Sequence, residues 1–233
     1  MACNDATLVE SSIFYLMDRH LREHPCYPQL VQLMHEGFRI TGHGQCLDIL
    51  TEKKAKLSEI GCNLSVYEMD RYRTIVKYKT SFYTFVMPTR MAMYLANRID
   101  EREHQQVESI MTKIGELFQV QDDYIDCYGD PQVIGKIGTD IRDGKCSWLV
   151  VNALLNCNEL QRSIIQMNYG QDNEKQESII KNLYRELDMT ESFQQYETRM
   201  IESIIDEINQ LELNQLPVEI FYEPLSHVYH RKK

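Results

Sequence analysis

Apolar residues recur at three- and four-residue spacing along almost all of this 233-residue sequence, and no stretch alternates at period two for long enough to make a strand. That periodicity predicts an all-α fold, with long helices bundled around a shared interior. The expected helices cover about 6–23, 28–54, 64–98, 102–128, 143–157, 159–168, 172–187, 190–212 and 217–229. Pro25 and Pro28 punctuate the first gap, Gly61 the second and Gly170 a later one, while Pro217 stands where a helix can begin. Pro88 falls inside the third span and predicts a kink there. With only ten glycines and six prolines there is no linker, and no repeat or low-complexity tract interrupts the pattern. One domain covering residues 1–233 is the expectation.

The helical stripes carry polar groups where a plain core has none. In the fourth span, Met111, Ile114, Leu117 and Phe118 lead into Asp122, Asp123 and Asp126. Asp122 and Asp126 are four apart and stack on one face, with Asp123 beside them. Carboxylates at a helix C-terminus repel one another and oppose the macrodipole. Such a cluster is as a rule a solvated helix end, but its neighbourhood argues otherwise. Gly129, Gly135, Gly138 and Gly144 follow within a short stretch, together with Lys136 and Lys145. Glycine lets backbone approach a ligand, and lysine is a point-charge partner for phosphate. Mg²⁺ binds through a few carboxylates and substrate phosphates, so the pairing predicts a metal–diphosphate site.

Two further helices repeat the pattern. Leu30, Met34, Phe38 and Thr41 lead to Gln45 and Asp48; Tyr72, Ile75 and Val76 lead to Lys79, then Phe82, Tyr83 and Val86. A lysine on an apolar stripe is explained by snorkelling, by a structural ion pair, or by a ligand. Lys79, Asp48 and the Asp122 cluster all fall on expected inward faces, and one polar cavity inside the bundle accounts for all of them.

Composition narrows the classes. A net charge of −10 argues against nucleic acid or an anionic membrane as partner. No apolar run approaches the length of a membrane span, and no signal peptide opens the sequence. Seven dispersed cysteines, Cys3, Cys46, Cys127 and Cys157 among them in helical patterns, read as reduced thiols of a cytoplasmic protein, without zinc-ligand spacing. His20, His24, His35 and His104 sit among charged residues and are expected to be solvated.

The run FQVQDDYIDCYGDPQVIGKIGTDIRDGKCSWLVV, Phe118 to Val151, resembles the second aspartate-rich region of farnesyl diphosphate synthases, all-α trans-prenyltransferases of isoprenoid biosynthesis. IVKYKT (75–80), GQCLD (44–48), NDA (4–6) and the basic C-terminus are similar to that family in the same order, so the resemblance spans the chain. It implies that an allylic diphosphate ionises with Mg²⁺ and that isopentenyl diphosphate then attacks the carbocation. It implies Mg²⁺ at Asp122, Asp123 and Asp126, with Asp48 lining the metal site beside Gln45. Lys79, Lys136 and Lys145 hold the allylic diphosphate, oxygens near Lys79, Thr80 and Gln119 face the cation, and Arg231 belongs to a basic tail that closes over a diphosphate. A homodimer is implied as well.

The family uses two aspartate-rich segments, whereas the sequence has one DDxxD. The other, and the basic segment that holds isopentenyl diphosphate, are expected upstream of Asn4 in the family. The reading is therefore a synthase-type chain lacking its N-terminal portion, with little or no chain elongation alone. The alternatives are a non-catalytic partner dimerising with a full-length synthase, and a terpene synthase built on the same scaffold.

Overall fold

A computed structural model describes residues 2–58, 60–135, 137–211 and 216–229. Lys136 and Arg231, both expected at the site, lie outside the described residues. Among the described residues there are twelve α-helices and no strand, as the periodicity requires.

The site is framed by four stretches. Helix α1 (Ala2–Leu21) leads to α2 (Tyr27–Lys56). The third long span comprises α3 (Met69–Val76), a ten-residue π-helical stretch (Lys77–Val86) and α4 (Met87–Leu95). Helix α5 (Glu101–Tyr128) is the central rod; Val107, Ile110, Met111, Ile114, Leu117 and Val120 are fully buried on it. Asp100 starts α5 by accepting the Arg102 N–H, which satisfies one of the open donors of the first turn. Short helices α6 (Pro131–Ile134) and α7 (Asp140–Asp143) carry the chain to α8 (Trp148–Asn156). Then α9 (Glu159–Asn168), α10 (Glu174–Glu186), α11 (Met189–Asn209) and α12 (Glu219–Val228) close the bundle.

Two expectations are corrected. The irregularity expected at Pro88 extends upstream over ten residues, ending where Met87 N–H bonds to the carbonyl of Phe82. In α geometry the prolyl ring collides with the carbonyl four residues back; the wider turns before Pro88 ease that collision, and Pro88 sits in the first turn of α4. His104 is not solvated: it is 1% exposed, stacks on Tyr94 at 4.4 Å, accepts from Arg90 Nε at 3.3 Å and meets the Arg98 carbonyl at 3.0 Å.

Helix α2 crosses the π stretch closely because Gly44 is at the crossing. A Cβ there would stand 2.3 Å from the backbone nitrogen of Lys79. That approach is what brings Asp48, one turn further along α2, into reach of the Lys79 side chain.

Candidate active site

A cavity of about 120 Å³ lies where α2, the π stretch, the end of α5 and the loop before α8 meet. Lys79, Lys145, Asp48, Asp122, Asp126 and Asp140 are among the charged groups lining it, with Thr80 and Gln119 beside them. Tyr72, Ile75 and Val76 form an apolar wall. A second cavity of about 580 Å³, between Phe85, Phe118 and α12, is larger, and among the described residues its ionisable lining is Glu223 and His227.

The π stretch carries Lys79 and Thr80. Such widened turns often occur at functional sites because they redirect side chains that an α-helix would hold in register. Lys79 Nζ donates to Asp48 Oδ2 at 2.7 Å, and the same oxygen accepts from Lys145 Nζ at 3.2 Å. Asp48 is 4% exposed, so this carboxylate is buried with two ammonium partners. Lys145 also donates to Glu52 Oε2 at 3.0 Å. Burial alone would lower the Lys145 amine; bonds to Glu52 and Asp48 outweigh it and hold the amine above its ordinary value. Glu52 is shifted the other way: burial raises it, and Lys56 and Lys145 together pull it below the usual carboxylate range.

The acidic end of α5 divides into two environments. Asp122 and Asp126 are partly exposed and line the cavity. Asp123 is the acid that enters the core, at 5% exposure. The expectation that Asp122 and Asp126 continue the innermost stripe is thus corrected by one position: Gln121 and Asp123 are buried, because α5 packs helices on several sides at this end. Both Asp123 oxygens are used, Oδ1 accepting from Gln119 Nε2 at 2.9 Å and Oδ2 from the Trp148 N–H at 2.7 Å. Burial pushes this carboxyl up to about 7, against the opposing pull of those two donors. Thr80 Oγ1 donates to Gln119 Oε1 at 2.8 Å, so Thr80, Gln119, Asp123 and Trp148 form one chain of hydrogen bonds under the cavity. Among the loop glycines, Gly138 makes the tightest approach: a Cβ there would meet the Asp126 carbonyl at 1.8 Å. Next to it the Asp140 N–H donates to Asp126 Oδ2 at 3.0 Å.

Most of the residues read from the sequence therefore converge. Gln45 does not: it is exposed on α2 and does not line the cavity. Residues missed were Glu52, whose signal was its position four after Asp48, and the Trp148 N–H, which no side-chain pattern announces. Gln121 was missed as well. Its Nε2 donates to Glu197 Oε1 at 2.7 Å and to the Val228 carbonyl at 2.8 Å, tying α11 and the end of α12 to α5 beside Asp122.

Among the described residues, no three histidine, cysteine or acidic side chains are already gathered as a metal site. The donor set suits a hard, hydrated cation all the same. Two partly exposed carboxylates supply oxygen ligands without filling an octahedron, which leaves room for waters and for oxygens of a ligand. No described helix is long and apolar enough to cross a membrane.

Comparison with known proteins identifies the family and the fold. Residues 1–187 match the family model described as polyprenyl synthetase. Farnesyl pyrophosphate synthase of Rattus norvegicus is 42% identical over the whole chain, of which 64% of the rat protein is covered. The enzyme of Schizosaccharomyces pombe is 40% identical, with 66% covered. The chain thus spans somewhat less than two thirds of the length of these relatives. Among solved structures, T. brucei farnesyl diphosphate synthase complexed with a bisphosphonate superposes with a TM-score of 0.89 over 99% of this chain and 66% of that one, at 27% identity. With the helical fold and these matches in agreement, the chain belongs to the polyprenyl synthetase family, among relatives named farnesyl pyrophosphate synthase.

Proposed function

We propose that this chain carries the diphosphate-ionising site of a farnesyl diphosphate synthase, which condenses dimethylallyl or geranyl diphosphate with isopentenyl diphosphate. The observation that carries this reading is the sharing of one cavity by two lysine amines and the partly exposed carboxylates of a DDxxD segment. Asp122 and Asp126 fit as Mg²⁺ ligands. Asp123 fits a positioning role instead, since both its oxygens are committed and its burial disfavours the charged form. When bound, Mg²⁺ would neutralise diphosphate charge and polarise the departing oxygen.

The chain's own groups do the rest. Lys79 and Lys145 bind the diphosphate, and their fixed charge stabilises the leaving anion most when the carbon–oxygen bond has broken. Thr80 and Gln119 hold their oxygens in a fixed chain beside the cavity, where they can face the allylic cation. Tyr72, Ile75 and Val76 exclude water that would otherwise capture that cation. Lys136 and Arg231 are assigned to diphosphate by the resemblance alone, and the bonds from Lys79 and Lys145 to Asp48 support a role for that acid in holding the lysines.

A second reading has its own observation. Leu8, Val9, Tyr15 and Leu16 are 50–63% exposed on α1, which favours association with a second copy or with a full-length synthase.

Titration of the chain with geranyl diphosphate tests the first reading. Binding is expected with Mg²⁺ and to fall by about a hundredfold with EDTA or in Asp122→Ala, as loss of a charge-bridging ligand implies. Binding that survives both changes sinks it. With one DDxxD in these 233 residues, little or no farnesyl diphosphate is expected from geranyl and isopentenyl diphosphates, and product detection checks that.

A further inference from the structure

Helix α2 presents a second acid to the cavity's lysines, one that the diphosphate reading leaves without a role. Glu52 stands one turn after Asp48 on the same face. Its Oε2 accepts from Lys145 at 3.0 Å while its Oε1 accepts from Lys56, also at 3.0 Å. Asp48 Oδ2 meanwhile takes both Lys79 and Lys145.

We propose that Asp48 and Glu52 form a built-in counter-anion for the cavity lysines, and that Glu52 is the member that yields, so that capture of a diphosphate is conditional on metal. This rests on the diphosphate reading above and specifies how that site is regulated.

Two acids on α2 offset the two described lysines, Lys79 and Lys145. Asp122, Asp126 and Asp140 border the same cavity, so no acid has to be brought in from elsewhere to meet a cation. A metal-free diphosphate must therefore displace a carboxylate to reach either amine. A cation at Asp122 and Asp126 changes the sign locally, and the incoming phosphate oxygens can then compete for the amines. The two acids are not equally free to leave. Asp48 is 4% exposed and cannot turn to solvent, whereas Glu52 is only partly buried. Glu52 also has its next partner in place, since Lys56 already holds one of its oxygens. Releasing Lys145 costs Glu52 one hydrogen bond and leaves its charge paired.

Calorimetric titration of the 233-residue chain with inorganic pyrophosphate, in EDTA and in excess Mg²⁺, tests this. Glu52→Gln is expected to tighten metal-free binding by about five- to tenfold, the effect of removing one unit charge a few ångströms from the anion site. Mg²⁺-loaded binding should shift by no more than about twofold, so the metal dependence shrinks. Glu52→Asp, which keeps the charge, should behave as the unaltered chain, and so should the change Glu159→Gln at an exposed position of α9. The inference is overturned if the unaltered chain binds Mg²⁺-pyrophosphate and loses it in Asp122→Ala, yet Glu52→Gln leaves metal-free affinity unchanged. If the unaltered chain binds no pyrophosphate even with Mg²⁺, the diphosphate reading itself falls and takes this inference with it.

Discussion

Asp123 shows how one atom of environment separates neighbouring acids. It differs from Asp122 by a single position, yet it is buried against Trp148 and Gln119 while Asp122 borders the cavity. A buried backbone N–H left without an acceptor costs about 1–3 kcal/mol. Asp123→Ala is therefore expected to lower stability by about 2 kcal/mol, because the Trp148 N–H loses its partner. Asp123→Asn keeps an oxygen for that donor, and the Gln119 amide can turn to match it, so its loss should be less than half as large. Urea unfolding of the three proteins in EDTA measures the difference; equal losses for both variants would show that the hydrogen bond to Trp148 is not what matters. The sequence placed these acids at a helix end and named them together. It did not distinguish them, because three carboxylates at helical spacing look alike until the packing on each side of α5 is known.

At the scale of elements, the decisive contact is the crossing of α2 with the π stretch. The helices themselves were legible: apolar period, prolines and glycines placed α1, α2, α5 and α9 to α12 close to their observed spans, while the helix expected over 143–157 starts only at Trp148 as α8. The π widening was not legible, since it involves no residue type that an α-helix forbids before Pro88. Its consequence is local and chemical, because Lys79 and Thr80 ride on it. Gly44→Ala should force α2 away from the Lys79 backbone, 2.3 Å from the added carbon. Overpacking of this kind costs about 1–3 kcal/mol. The shift should also lengthen the Asp48–Lys79 contact and weaken Mg²⁺-pyrophosphate binding, which thermal unfolding and calorimetry would read together. Unchanged stability and unchanged affinity would show that the crossing relaxes without disturbing the site.

At the scale of the whole molecule, the bundle buries α5 but leaves a line of apolar residues on α1 open. Leu8 and Tyr15, and Val9 and Leu16, repeat at seven-residue spacing and are 50–63% exposed. Exposed apolar side chains repeated in this way fit the association surface proposed above. Sedimentation of the chain is expected to show a dimer, and the pair Leu8→Glu and Leu16→Glu to return it to monomer. Because both positions are exposed, unfolding stability of the monomer should change by no more than about 0.5 kcal/mol. A monomer at every soluble concentration would remove the surface from consideration.

What the residues alone determined is periodic and local: an all-α chain, its main helix boundaries, an acidic helix end followed by a lysine-bearing glycine loop, and inward-facing polar groups on three helices. Those follow from repeat spacing and from the cost of burying charge without partners, both of which are written in the order of the sequence. Which acid is buried, which lysine meets which carboxylate, that Glu52 joins them and that Gln45 stands outside were decided only by tertiary structure. Each depends on contacts between residues tens of positions apart, such as Lys145 with Asp48 or Asp123 with the Trp148 N–H. Such contacts are set by how closely helices approach, and helix approach is a property of packing.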